Sequence, residues 1–289
     1  MPPASTEIAS GGDRDDRRSS HPVTPRYRHV LGLGCERGVT FGPLHGCAAL
    51  WMPFERRGDF SALVDRQRRL FQYDGPIGWR ALSRRSEAFH RILLDEFFNR
   101  SWLMFHALIG HQSGPDSAED HDSTDSIDSR GSATRDTLSR RTFHRLVQSR
   151  IEFMGRENRT RCFHLCVVPV PSRLHDENRA RCADHLTREF RLPGDQSKVV
   201  VRDLDRAPAA QLADLFLHCL VTGWSDGRSN ATQTLVARLL AQRLGWKDLR
   251  ARTGPGEWKF QIATVPGLEA GLGRAVPVRR PGSPGGRGQ

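Results

Sequence analysis

The chain has few apolar residues for its length and no long run of them. Hydrophobic residues make up 37% of its 289 positions, and no stretch approaches the roughly 20 apolar residues that a membrane-spanning helix needs. The N-terminal region is polar and charged through Arg18, which is not the pattern of a secretory signal. We therefore expect a soluble, cytoplasmic protein that makes no membrane contact and does not fold over its whole length.

Cysteines are few and irregularly spaced, and several lie in apolar runs. The six are Cys35, Cys47, Cys162, Cys166, Cys182 and Cys219. Such spacing favours reduced thiols over a disulfide framework. The sequence also lacks a G-x-S-x-G nucleophile elbow, a P-loop and a dinucleotide-binding fingerprint. These absences exclude the enzyme classes that are easiest to recognise from sequence.

Positive charge is in excess. The chain has 44 Lys and Arg against 33 Asp and Glu, for a formal net charge of +11. A basic protein favours polyanionic partners, and nucleic acid is the expected one. A coding bias toward Arg, Gly and Pro would give the same excess, and the basic residues form no single run. Both explanations of the charge stay open.

Three segments lack periodic apolar positions and are predicted to be disordered. They are an arm over residues 1–26, a tail over residues 266–289, and an insertion over residues 113–137 with seven acidic residues against two Arg. The remainder of residues 27–265 is predicted to form one domain. In that range strand-like runs alternate with helical ones, which is typical of an α/β sheet flanked by helices.

The most informative stretch is a strand, a short turn and a helix over residues 199–221. On the predicted helix Gln211, Asp214 and His218 share one face, apart from the apolar stripe. A carboxylate among apolar neighbours needs a partner, because its burial otherwise costs several kcal/mol. For Asp214 this partner is a metal ion, a cationic side chain, a backbone group or water in a cleft.

Short motifs along the chain resemble the family known as domain of unknown function 3800 (DUF3800), a group of RNase H-like, metal-dependent nucleases. One motif is Gln211-Leu-Ala-Asp-Leu-Phe216 after a strand. The second is Trp79-Arg-Ala-Leu-Ser83, followed by a helix that begins near Ser86 and a strand that ends at His111. The resemblance covers roughly residues 28–265 apart from the acidic insertion. It implies an RNase H-like mixed sheet flanked by helices.

The resemblance also implies an acidic site that holds Mg²⁺ or Mn²⁺ for phosphodiester hydrolysis. Carried over to this chain, it makes Glu36, Asp214 and Asp205 the catalytic candidates. The metal-ligand candidates are Glu36, Asp214 and Asp203. These residues are expected to act on nucleic acid through a metal-bound water.

The chain departs from the family at several of these positions. Cys35 stands where the family has a leading Asp, and residues 76–78 (Pro-Ile-Gly) replace a Glu-x-Lys segment before the Trp. His111 ends a strand that commonly ends in Asp, and His218 replaces a small residue. The departures remove carboxylates that Mg²⁺ coordination depends on.

Three hypotheses follow from the departures. The first is an active nuclease that uses Glu36 and Asp214. The second, which we favour, is a relative that keeps the fold and a nucleic-acid or protein surface without hydrolysis. The third is a site changed to bind zinc through Cys35, His111 and Asp214 or His218. A separate Cys162-Phe-His-Leu-Cys166 run is interpreted as a packed strand face.

Overall fold

The protein forms a six-stranded mixed sheet with helices on both faces. The structure is a computed structural model that describes residues 27–35, 44–111, 144–152, 154, 162–168, 176–192, 197–224, 229–254 and 257–264. The strands are β1 (Tyr27–Cys35), β2 (Leu44–Pro53), β3 (Met104–His111), β4 (Cys162–Val168), β5 (Lys198–Val201) and β6 (Phe260–Thr264). Their order across the sheet is β5-β4-β1-β2-β3-β6.

The sheet combines an antiparallel centre with parallel neighbours. β2 runs antiparallel to both β1 and β3, with Leu31 opposite Leu50 and Leu50 opposite Phe105. β4 is parallel to β1, β5 is parallel to β4, and β6 is parallel to β3. The predicted α/β class is therefore confirmed as a mixed sheet with flanking helices.

Among the described residues, six helices cover the sheet. They are α1 (Arg57–Phe71), α2 (Glu87–Asn99), α3 (144–152), α4 (Asp176–Glu189), α5 (Pro208–Trp224) and α6 (Ala231–Leu244). Almost every residue of α5 is buried, because it packs on β1 and β2 on one side and on α1 and α6 on the other, with Phe97 of α2 against Phe216. The helices α3 and α4 lie on the opposite face of the sheet, where Val147 and Leu186 join a second core.

Alternation along the strands divides the core between the two faces. In β2, Ala48 and Leu50 point to the α5 side, whereas Ala49 and Trp51 point to the α3 and α4 side. On the α5 side an aromatic cluster joins β3, α5 and β6: the ring of Phe105 lies 5.4 Å from Phe216 and 4.5 Å from Phe260. This cluster fixes α5 against the sheet.

The helix predicted to begin near Ser86 is observed as α2, which begins at Glu87. Ser86 precedes α2 as expected, but its side chain makes no capping hydrogen bond to the helix. Instead its hydroxyl donates to the Ala81 carbonyl at 2.6 Å and accepts from the Ser83 N–H at 3.0 Å. The hydroxyl therefore stabilises the preceding loop and accepts no hydrogen bond from the first N–H groups of α2.

Several predictions fall outside the described residues. The arm over residues 1–26, the acidic insertion over 113–137 and the tail over 266–289 lie there, as does Glu36. Within the described ranges, none of the helices is both long and apolar enough to cross a membrane.

Candidate functional site

The candidate site lies on α5, where one polar face interrupts an otherwise apolar helix. Pro208 occupies the first position of the helix, where its missing N–H and fixed φ are compatible with helix geometry. Leu212, Phe216 and Leu220 are fully buried. Asp214 is the exception at the centre of the helix, because its side chain remains 17% exposed. It is therefore a partly solvated carboxylate on a rigid, packed element.

The partner of Asp214 is His218, one turn later on the same helix. The His218 Nδ1 lies 3.2 Å from Asp214 Oδ1 and 2.8 Å from the Asp214 backbone carbonyl oxygen. Both neighbours are acceptors, so Nδ1 carries a proton and donates to them. The Trp79 ring stacks on the imidazole, with centroids 6.3 Å apart and planes inclined by 25°. The ring orientation of His218 is thus fixed from two sides.

Gly78 leaves room beside the second carboxylate oxygen. Among the described residues, a Cβ atom at residue 78 would meet only Asp214 Oδ2, at 3.9 Å. The φ of Gly78 is 170°, an extended conformation that any residue adopts. The backbone therefore does not require glycine here. Its effect is that residue 78 places no side-chain atom against this carboxylate oxygen.

Gln211 connects two loops that flank this carboxylate. Its Oε1 accepts from the Ile77 N–H at 3.0 Å, and its Nε2 donates to the Leu204 carbonyl at 2.9 Å. Only 2% of the residue is exposed. One buried amide thus holds the loop before Trp79 and the turn that contains Asp205 against α5.

His90 supports the same loop from α2. Its Nδ1 donates to the Ser86 carbonyl at 2.8 Å, so the unprotonated Nε2 accepts from the Gly78 N–H at 3.4 Å. Burial lowers the pKa of His90 below its ordinary value, and the hydrogen bond to the Ser86 carbonyl opposes this effect. The neutral form that burial favours is the form that can accept this hydrogen bond.

The other predicted site residues are only partly placed. The backbone of Cys35 pairs with Gly46 at the end of β1. A Cβ at Gly46 would lie 2.9 Å from Leu217 Cδ1, which places α5 directly over this end of the strand. Glu36 would follow Cys35, but it lies outside the described residues. The backbone of His111 pairs with Leu44, at the end of β3.

A 3-10 turn (Leu204–Arg206) connects β5 to α5. Asp203 precedes this turn and Asp205 lies within it. Asp205 is exposed and Asp203 is half-buried. Of the sequence candidates, the structure brings Asp214 and His218 into contact. Over the described part of the chain, no group of three or more His, Cys, Asp or Glu side chains is placed to hold a metal ion.

The cysteine run on β4 belongs to the core at the residues whose side chains are described. Cys166 is 2% exposed and packs with the α5-side core. Burial raises the pKa of its thiol to about 11, with a smaller opposing effect from Arg202. His164 lies edge-on to Phe54, with ring centroids 4.3 Å apart. The interpretation of Cys166 as a packed residue is confirmed.

Sequence reasoning missed the residues that position the site. The sequence identifies Trp79 only as part of a motif and indicates no role for His90. Asn230 and Gln233 form a capping box at the start of α6 and also bind the loop, to the Leu82 carbonyl at 3.2 Å and the Trp79 carbonyl at 3.0 Å. The N-x-x-Q spacing could have indicated the cap, but nothing local indicates the contact with the loop.

Comparisons with known proteins add no relative. No protein-family model, no curated protein and no solved structure matches the chain. The sequence, the fold and the geometry around Asp214 are therefore the basis for proposing a function.

Proposed function

We propose that this chain is a divergent, DUF3800-like member of the RNase H-like proteins that binds nucleic acid and has lost metal-dependent hydrolysis. In this proposal nucleic acid lies over the exposed residues of the loop that follows Trp79, next to the partly exposed Asp214. The mixed sheet supports the RNase H-like part, since an antiparallel β1-β2-β3 unit is extended by β4 and β5, both parallel to β1. The net charge of +11 supports a polyanionic partner.

The observation that carries the proposal is the contact between Asp214 and His218. Mg²⁺ prefers hard oxygen ligands and is usually bound through carboxylates and water. Here one oxygen of the central carboxylate faces the protonated Nδ1 of an imidazole. Among the described side chains this donor set fits Mg²⁺ or Mn²⁺ poorly, so we assign no catalytic step to a metal.

The arrangement is suited to binding rather than hydrolysis. The Trp79 and His218 rings stack on each other, and His218 is only 6% exposed, so these rings do not offer an open face to a base. Trp79 itself is 7% exposed. Its contribution is therefore to fix His218 and the adjacent loop, whose exposed residues meet the ligand.

One observation favours a second candidate, the active metal-dependent nuclease. The helix α5 covers the end of β1 through Leu217 and Gly46, and Glu36 follows that strand end in sequence. In this alternative Glu36 and Asp214 ligate the metal ion, with Asp203 or Asp205 assisting. A zinc site that includes Cys35 and His111 remains a further variant of it.

A combined binding and cleavage assay tests the proposal. Purified protein is incubated with labelled single- and double-stranded DNA and RNA, with Mg²⁺, with Mn²⁺ or with EDTA. We expect binding in all three conditions and no cleavage in any. Because binding here does not use the metal, Asp214→Asn should bind at least as tightly as the wild type, since it removes a negative charge beside the phosphates.

The outcomes separate the candidates. Metal-dependent cleavage that Asp214→Asn abolishes and His218→Ala preserves would establish the active nuclease. Stoichiometric zinc in the purified protein would establish the zinc variant. If the protein binds none of the four nucleic acids, the proposed function is wrong.

A further inference from the structure

The loop of residues 77–86, here called the anchored loop, is held by three different helices. Its Ile77 N–H binds Gln211 of α5 and its Gly78 N–H binds His90 of α2. From α6, Gln233 and Asn230 donate to two of its carbonyls. A surface loop with this many backbone anchors has little conformational freedom left to lose when it binds a ligand.

Burial alternates along the anchored loop in a way that separates anchors from presented groups. The buried residues Ile77, Trp79 and Leu82 belong to the core on the α5 side. The exposed residues between and after them include three arginines, Arg80, Arg84 and Arg85. The loop therefore holds three guanidinium groups outward on a fixed backbone.

These arginines have no partner of their own in the described part of the chain: none of the three side chains has an ion pair or a hydrogen bond there. The acidic residues of the neighbouring helix α2 are paired with other arginines. Glu87 pairs with Arg91, Asp95 with Arg243, and Glu96 with Arg66 and Arg100. The positive charge of the anchored loop is thus left uncompensated by its nearest acidic helix.

The start of α6 adds to this charge. Asn230, its N-cap residue, contacts the Leu82 carbonyl of the anchored loop. The N-terminal end of a helix carries a partial positive charge. Arg80 follows Trp79, whose ring stacks on His218, so the positive surface begins next to the Asp214 site.

We propose that Arg80, Arg84 and Arg85 on the anchored loop bind the phosphodiester backbone of a nucleic acid strand that passes the Asp214 site. The inference rests on the proposed function and adds the surface that binds the strand. Phosphate is the complementary chemistry, because guanidinium groups donate paired hydrogen bonds to its oxygens. Contacts of this kind give affinity without sequence preference.

The test compares two triple variants with the same change in charge. The first is Arg80→Gln/Arg84→Gln/Arg85→Gln. The matched control replaces Arg145, Arg181 and Arg188 by Gln. These are also exposed, but they lie on α3 and α4, whose apolar residues pack on the opposite face of the sheet. Fluorescence anisotropy of a labelled single-stranded oligonucleotide of mixed sequence is measured between about 50 mM and 200 mM salt.

Loss of three phosphate contacts has a defined electrostatic signature. For a single strand, each phosphate contact contributes about 0.7 to the slope of the logarithm of the association constant against the logarithm of the salt concentration. Loss of three contacts should therefore reduce the magnitude of this slope by roughly 2. Extrapolated from 1 M to 0.15 M salt, this corresponds to roughly 50-fold weaker binding. The loss should be the same for oligonucleotides of different sequence, and the control variant should retain most of the wild-type slope and affinity.

The results distinguish this inference from the proposed function. If the wild type binds and the loop variant keeps the same slope and affinity, the inference is wrong and the proposed function stands. If the control loses as much as the loop variant, the binding is a general charge effect and the inference is equally wrong. If the wild type binds no nucleic acid but binds polyglutamate through these arginines, both proposals fail. Thermal melting of each variant confirms that the exposed substitutions leave the fold intact.

Discussion

Replacing Gln211 with Met tests whether one buried amide holds the candidate site together. Methionine has nearly the same length and volume, so packing in the core should change little. The substitution removes the acceptor of the Ile77 N–H and the donor to the Leu204 carbonyl. Any effect therefore reports on the two hydrogen bonds rather than on a cavity.

The expected loss follows from the burial of the two bonds. The bond from Ile77 is buried, and an unsatisfied buried backbone group costs roughly 2 kcal/mol. The bond to the Leu204 carbonyl is partly buried, so water can replace the amide in part, and the loss is about 1 kcal/mol. The free energy of unfolding should therefore fall by about 3 kcal/mol. For a domain of this size that lowers Tm by roughly 6 to 12 °C.

Calorimetric melting of Gln211→Met measures this decrease in Tm, and Gln148→Met serves as the control. Gln148 lies on α3 and donates to Glu152 at 3.2 Å in an exposed bond, so its loss should cost less than about 0.5 kcal/mol. Gln211→Met should also weaken oligonucleotide binding, because the anchored loop loses its hydrogen bond to α5. A Tm within about 2 °C of the wild type would refute the reasoning.

Three further predictions concern the stability of the fold. Lys259 donates to three backbone carbonyls at and beyond the C-terminal end of α2. Lys259→Met should therefore lower the free energy of unfolding, measured in urea, by about 2 to 3 kcal/mol. A loss under about 0.5 kcal/mol would contradict this prediction. Burial lowers the pKa of His90, so its contribution to stability is complete above about pH 6.5 and is lost as the pH falls toward the lowered pKa. The difference in Tm between pH 7 and pH 5 should therefore be smaller in His90→Phe than in the wild type. An unchanged difference would count against this role of His90. Gly46→Val should lower the free energy of unfolding by roughly 1 to 3 kcal/mol, because the new side chain overpacks against α5. Gly58→Ala on α1, where a Cβ meets nothing within 4 Å, should raise it by about 0.5 to 1 kcal/mol. Equal effects of the two variants in urea unfolding would be inconsistent with the packing described.

The secondary structure could be predicted from the sequence because it follows from local periodicity. The spacing of apolar residues predicted a helix that ends at residue 221, three residues before the end of α5, and a helix that begins near Ser86, where α2 begins at Glu87. The alternating pattern of helices and strands likewise predicted an α/β class. Strand order was not predictable in this way, because the parallel neighbours of β1 and β3 are distant in sequence.

The sequence by itself determined that Asp214 and His218 share a helix face, since positions four residues apart on a helix are neighbours. Only the tertiary structure decided that Trp79 stacks on His218, that Gly78 opens the space beside Asp214, and that three helices anchor the loop bearing Arg80, Arg84 and Arg85. These contacts join residues up to 154 positions apart. Helix and strand periodicity act over a few residues, whereas such contacts depend on how α2, α5 and α6 pack together around one core.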